Sequence, residues 1–257
     1  MSPDSVTPLV VTFDEAANLG RTLDRLRWAA RVVMLDSGST DGTLGLAARF
    51  TNVEVAHRPF DSFAGQCNAG LALAETEWVL SLDADYVLSR DLVEEIAALE
   101  PAPDVAGYRA RFVYCIDGRP LRATLYPPRT VLYRRDRARY TDDGHGHRVH
   151  VDGRIVDLEG VIYHDDRKPR ARWLANQASY AALEAEKLLA TPPDRLGRID
   201  RIRRAGLAPL LTPAYCLLVK RLVLDGRAGL TYTYERTYAE LLLALRLLDR
   251  RLAADHA

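Results

Sequence analysis

Trp78-Val79-Leu80-Ser81-Leu82-Asp83-Ala84-Asp85 is the stretch whose reading decides the fold. The apolar run reads as a buried strand, and the two carboxylates mark the point where it emerges into a crevice. A divalent cation with hard oxygen ligands can bridge carboxylates to phosphate oxygens. An Asp-x-Asp at a strand end therefore points to nucleotide-diphosphate chemistry. The same tripeptide also occurs in plain turns, where each carboxylate accepts backbone N–H bonds, so its neighbours decide between the readings.

Upstream, Arg31-Val32-Val33-Met34-Leu35 runs into Asp36-Ser37-Gly38-Ser39-Thr40-Asp41-Gly42-Thr43 and then a helical pattern at Leu44, Ala47 and Ala48. Earlier still, Pro8-Leu9-Val10-Val11-Thr12-Phe13 ends in Asp14-Glu15, followed by a helical pattern at Leu19, Leu23 and Leu26. Strand, acid and helix in repeated succession predict an α/β fold with a parallel sheet whose carboxyl edge gathers acids. Asp41 has a second reading as a helix cap.

Downstream, Ser89 is placed to cap a helix bearing Leu92, Ile96 and Leu99, which Pro101 and Pro103 end. Short β-like runs follow at Tyr108 to Tyr114, Leu121 to Tyr126 and Thr130 to Tyr133, as expected of a mixed sheet that completes the crevice. Arg172 to Leu189 reads as an amphipathic helix, and a last helix is expected from Tyr238 to Leu252. The chain is thus divided into a catalytic part, 1–165, and a helical appendage, 166–257.

With 257 residues and 48% hydrophobic content the chain can bury a full core. Its formal charge is zero, which argues against nucleic acid as a partner. Cys67, Cys115 and Cys216 lack metal-binding or disulfide spacing. The first residues show no secretion pattern, so a cytoplasmic setting is expected.

Thr12-Phe13-Asp14-Glu15-Ala16-Ala17-Asn18-Leu19, the Asp36 to Thr43 loop, Arg58-Pro59-Phe60, Gln66-Cys67-Asn68 and Leu82-Asp83-Ala84-Asp85 together resemble the ordered motifs of family 2 glycosyltransferases. The lipopolysaccharide-core glucosyltransferase branch is the most similar. The resemblance spans roughly residues 8 to 165. It implies the GT-A fold, a Rossmann-like nucleotide half plus a mixed-sheet acceptor half. It also implies a nucleotide-diphosphate sugar donor, with UDP the expected nucleotide, and inversion at the anomeric carbon. Thr12, Phe13, Asp14, Glu15, Asp36, Arg58 and Asp83 would bind the nucleotide. Asp85, with Asp83, would hold Mg²⁺ or Mn²⁺ against the diphosphate. Cys67 stands where the branch often has Arg, so that contact is missing.

Inverting transfer needs a base for the acceptor hydroxyl. The branch carries an acid in the region Tyr140-Thr141-Asp142-Asp143-Gly144-His145-Gly146-His147-Arg148-Val149-His150, which leaves Asp143, Asp142 or His147. His145, His147 or His164 is a candidate extra ligand to the diphosphate metal. Asp165-Asp166-Arg167-Lys168 reads either as a lid that pairs with phosphate or as a solvated turn.

The apolar run Leu207 to Val219, followed by Lys220-Arg221, is too short to span a bilayer. It suits a helix lying on an anionic inner leaflet, or one packed on the core or on a second subunit in a homodimer. The expected acceptor is a cell-envelope glycan or lipid-linked glycan such as lipopolysaccharide core. A polyprenyl-phosphate acceptor and a catalytically silent tethering domain are the alternatives.

Overall fold

A computed structural model describes residues 1–144 and 146–255. It separates into two compact units: Met1–Pro120 with Thr124–Asp142 and His147–Lys168, and Leu121–Ala123 with Asp143–Gly146 and the chain from Pro169 onward.

The chain opens with β1 (Val6–Thr12), α1 (Leu19–Asp24), β2 (Val32–Asp36), α2 (Thr43–Ala47), β3 (Val53–His57), α3 (Phe63–Leu73) and β4 (Trp78–Asp83). It continues through β5 (Tyr86–Leu88), α4 (Arg90–Ala98), β6 (Val105–Ile116), β7 (Arg119–Pro120), β8 (Arg129–Arg134), β9 (Ala138–Asp143), β10 (Gly146–Val151) and β11 (Arg154–His164). The main sheet runs in the order β3-β2-β1-β4-β8-β6-β11-β5, with β7 paired to β6. Its first four strands are parallel. Beyond β4 the sheet becomes mixed, because β8 runs antiparallel to both β4 and β6 while β11 is parallel to β6. This is the expected α/β class.

Alternation along the strands sends neighbouring residues to opposite faces. Val10, Met34, Leu80 and Leu82 pack with Leu19, Leu23 and Leu26 on one side. Leu9, Val33 and Val79 pack with Ala64, Cys67 and Leu71 of α3 on the other. The position where Arg was expected by resemblance is therefore a buried core contact, and Cys67 is its occupant.

Ser89 caps α4 as its sequence position suggested, with Oγ accepting from Leu92 N at 3.1 Å. Gly160 of β11 crosses this helix so closely that an added Cβ would lie 2.5 Å from Leu92 Cα. That atom and Leu92 N, at 2.8 Å, are backbone and cannot turn aside. Gly160→Ala is expected to destabilise the fold by about 3 kcal/mol. Gly45→Ala, with open space around it, should be neutral or slightly stabilising. Urea midpoints of the two variants check this pair.

The second unit is helical: α5 (Arg170–Ala190), α6 (Arg198–Arg204), α7 (Ala208–Ala214) and α8 (Gly226–Asp255). Ala185, Leu188, Leu196, Leu243 and Leu247 form its core. Arg203 is neutralised within the unit. It pairs with Glu240 at 2.6 Å and Glu184 at 3.1 Å.

Two sequence expectations differ from the structure. Leu121 to Tyr126 forms no strand; Pro120, Pro127 and Pro128 remove ladder donors around it, and Leu121–Ala123 joins the second unit. The last helix begins at Gly226, not at Tyr238. Two glycines and several Thr and Tyr weaken helix propensity there. Thr233 and Thr237 offset this by donating to the carbonyls of Gly229 and Thr233, while Tyr232 and Thr233 are buried.

Candidate active site

The register of the parallel strands aligns their carboxyl ends. Thr12 lies opposite Asp36, Asp36 opposite His57, and Val11 opposite Asp83. One sheet edge therefore carries the predicted residues of three strands.

Asp36 is fully buried. Its Oδ2 accepts from Gly38 N at 2.8 Å and Ser39 N at 2.9 Å, and its Oδ1 accepts from Ser39 Oγ at 2.5 Å and Thr12 Oγ1 at 3.1 Å. Burial alone would raise this carboxyl, but the donors hold it below the usual carboxylate range. Gly38, at φ +97°, supplies the left-handed turn that brings those amides round. Asp14, itself at φ +53°, clasps the same loop: its N donates to Ser39 Oγ and its Oδ1 accepts from Thr40 N, both at 2.8 Å. Asp41 accepts from Thr43 N at 2.9 Å and Ala16 N at 3.1 Å, so it ties this loop to the one after β1. Phe13, between Thr12 and Asp14 in the chain, is half exposed.

Asp83 ends β4 and is partly buried, while Asp85 is buried. Asp85 Oδ2 meets His164 Nε2 at 3.2 Å. Burial opposes charge on both, yet their mutual attraction leaves the Asp85 carboxyl below its ordinary value and the His164 imidazole above it. Tyr114, Tyr126 and Tyr86 surround the His164 ring with centroids at 4.7, 5.0 and 5.2 Å. The Arg129 guanidinium lies 4.7 Å from the Tyr126 ring and within the field of Asp83.

Among the described residues no group of three His, Cys, Asp or Glu side chains converges as a self-sufficient metal cage. A diphosphate-bound Mg²⁺ or Mn²⁺ does not need one, since one or two carboxylates and phosphate oxygens suffice. The carboxyls of Asp83 and Asp85 fit such an ion, and Asp85 is favoured in its charged form; His164, its imidazole raised by Asp85, stands beside them as a cation and would ligate only after losing that proton. His145, another candidate ligand, lies outside the described residues.

Sequence reasoning left the 165–168 segment open between lid and solvated turn; in the structure its side chains are tied to the loop and helix after β1 and to the turn before β7. Asp165 is buried, accepts from Gly118 N at 3.0 Å and pairs with Arg167 at 2.8 Å and with Arg21. Lys168 Nζ pairs with Glu15 Oε1 at 2.5 Å rather than standing ready for phosphate. Burial pushes the Glu15 carboxyl up to about 7, despite Lys168. Asn18 joins both groups, with Nδ2 donating to Glu15 and Asp166 at 2.8 Å and Oδ1 accepting from Arg167 N at 2.8 Å. The acid after β1 is thus bound into a latch, which the alternating charges of 165–168 hinted at but could not locate.

Arg58 forks onto Asp61 at 2.5 and 2.7 Å. The three base candidates have separate surroundings. Asp142 Oδ1 accepts from Ala64 N at 3.1 Å, at the start of α3. Asp143, in the second unit, pairs with Lys187 at 2.7 Å. His147 packs on Tyr140 and Phe63 at 5.2 and 6.1 Å and lies in the field of Asp83. Burial chiefly pulls its imidazole below the ordinary value, so it is neutral at neutral pH.

Residues 8–152 match the family described as Glycosyl transferase family 2. The chain belongs to glycosyltransferase family 2. Over 117 residues this glycosyltransferase is 32% identical to the lipopolysaccharide core biosynthesis glycosyltransferase LpsC of Rhizobium meliloti (strain 1021), covering 43% of each chain. It is 26% identical over 185 residues to an uncharacterized glycosyltransferase of Rickettsia felis, covering 69% of this chain and 62% of that one. The chain thus matches less than two thirds of the length of either relative. A crystal structure of S. aureus TarS 1-349 in complex with UDP-GlcNAc superposes with a TM-score of 0.50 at 16% identity, covering 98% of this glycosyltransferase and 92% of that chain. The likeness shows the GT-A fold.

Proposed function

We propose that this family 2 glycosyltransferase moves a hexose from a UDP-linked donor to a cell-envelope glycan or lipid-linked acceptor, such as lipopolysaccharide core, at the inner face of the membrane. The row of Thr12, Asp36, Asp83 and Asp85 along one sheet edge carries this reading. The UDP-GlcNAc complex of TarS and the lipopolysaccharide-core role of LpsC support the donor and acceptor classes.

In this reading the loop built around Asp36 and Asp14 receives the base and ribose, with Thr12, Phe13, Glu15 and Arg58 around it. The acceptor oxygen attacks the anomeric carbon opposite the diphosphate, the carbon–oxygen bond to phosphate breaks, and UDP leaves with the electron pair. A divalent cation, when bound, supplies charge neutralisation for the leaving diphosphate; Asp85 would hold it, with Asp83 and His164 beside it. The acceptor proton passes to a base on the β9–β10 segment. His147 is favoured, because it is neutral and lies in the field of Asp83. Asp143 is the other reading.

Calorimetry of UDP binding with Mn²⁺ and with EDTA tests the donor site. Binding is expected to weaken by at least about tenfold when the metal is chelated, as a lost charge-assisted contact to diphosphate predicts. Absence of binding to UDP and to other nucleotides in both conditions would sink the proposal.

A further inference from the structure

The segment 207–224 wears its amphipathicity inside out. Its buried side uses Ala208, Cys216 and Leu222, while large residues recurring every three or four positions face solvent: Leu207, Leu210, Leu211, Tyr215 and Leu218. Leu210 is 76% exposed and Leu218 71%, values far from those of a core stripe. α7 gives way to one π-helical turn at Tyr215–Val219, then Arg221 at φ +57° and a 3₁₀ turn at Leu222–Asp225, which extends the apolar surface through Leu224. No helix among the described residues is long and apolar enough to cross a membrane.

The charge around this stripe is mainly basic. From Arg201 to Tyr234 the sequence holds six basic residues and a single acid, Asp225, which Arg122 neutralises at 2.9 Å; Arg203 is neutralised by Glu184 and Glu240, which leaves Arg201, Arg204, Lys220, Arg221 and Arg227, with Asp200 and Glu235 at the two ends of the stretch. Lys220 reaches over the Tyr215 ring, the arrangement of a cation at an apolar margin. A shallow depression in the same unit is lined by Arg201, Arg204 and Arg251 with one acid, Asp194. Arg204 and Arg201 donate to the carbonyls of Thr191 and Leu196 at 3.1 and 3.0 Å, and Arg251 donates to the Arg204 carbonyl. These bonds orient the guanidinium groups without cancelling their charge. A second copy of the chain would set like charges against one another across a two-fold interface. Anionic phospholipid complements both features at once.

We infer that the second unit docks in plane on an anionic bilayer, with the leucine stripe seated among the acyl chains and Arg201, Arg204 and Arg251 receiving lipid phosphate. This rests on the membrane location in the proposed function and names the surface and lipid chemistry that would supply it; vesicle binding needs neither donor nor acceptor, so sugar transfer can fail while docking stands, and docking can fail while UDP binding stands.

The test is co-sedimentation of the full chain with phosphatidylcholine vesicles, with and without phosphatidylglycerol. The protein pellets with the anionic vesicles and releases as salt is raised. The double variant Leu210→Ser/Leu218→Ser is expected to lose at least about tenfold in partitioning, since both side chains leave the acyl region. Each of Arg201→Ala, Arg204→Ala and Arg251→Ala should lose about fivefold on anionic vesicles and nothing on neutral ones. Tyr215→Trp adds a direct readout of insertion, a blue shift of its emission on anionic vesicles. Circular dichroism is the check that the variants remain folded. The inference fails if the wild type stays in the supernatant, or if pelleting ignores the leucines. It fails equally if light scattering finds a dimer that the serine variant dissolves, or if inorganic phosphate binds the arginines while vesicles do not.

Discussion

Asp85→Asn is expected to lower turnover by roughly two to three orders of magnitude while leaving the protein folded. The proposed role of this carboxylate is to hold the cation that meets charge growing on the departing diphosphate, and an amide of the same shape offers no charge for it. The structural consequence is smaller. His164, whose proton is sustained largely by Asp85, can become neutral once its partner is an amide. The substitution therefore does not strand a buried charge, and the melting temperature should move by a few degrees. Initial rates with a UDP-sugar, thermal melts and Mn²⁺ titrations on the same samples separate the effects. Near-normal turnover, or a rate loss matched by unfolding, would remove Asp85 from the proposed mechanism.

His147→Ala should lose on the order of 10²–10⁴ in kcat with little change in donor affinity, the effect of removing a positioned base. Added imidazole should restore part of that rate. Asp142→Ala serves as a contrast. Its carboxylate accepts the Ala64 amide at the start of α3, so its loss should appear as about 1 kcal/mol of stability. Asp143→Asn breaks the 2.7 Å pair with Lys187, and on the favoured reading it leaves most of the rate intact. The opposite pattern, a large kcat loss in Asp143→Asn and none in His147→Ala, would move the base to Asp143.

Most of the sheet edge was legible because apolar strands announce their ends. Val32 to Leu35 and Trp78 to Leu82 are runs that only a buried parallel strand accommodates, and each is followed by an acid. Ser89 was legible as a cap for the same local reason. What escaped were pairings between residues far apart in sequence. Nothing in Glu15 signals Lys168, and nothing in Asp85 singles out His164 from the other histidines. Arg129 was missed because it follows two prolines at the first position of β8, where an arginine ordinarily faces water; its stacking on Tyr126 is a tertiary event. The early start of α8 was hidden by weak helix formers that burial and hydroxyl back-bonding overrode.

The pairing of β5 with β11 has a consequence for the birth of the site. Tyr86, Val87 and Leu88 find their ladder partners in His164, Tyr163 and Ile162, and Asp85 O accepts from Asp165 N at 3.1 Å. The loop after Asp83 is therefore fenced by chain that a ribosome delivers long after the loop itself. Until that strand returns, the early parallel strands can assemble into a sheet, but the Asp-x-Asp segment has no far wall. Such a late, long-range closure is entropically slow. A nascent chain arrested before β11 would hold a folded nucleotide half without competent chemistry, and a single proteolytic nick between Leu88 and Ile162 would leave the carboxylates in place and still loosen their enclosure.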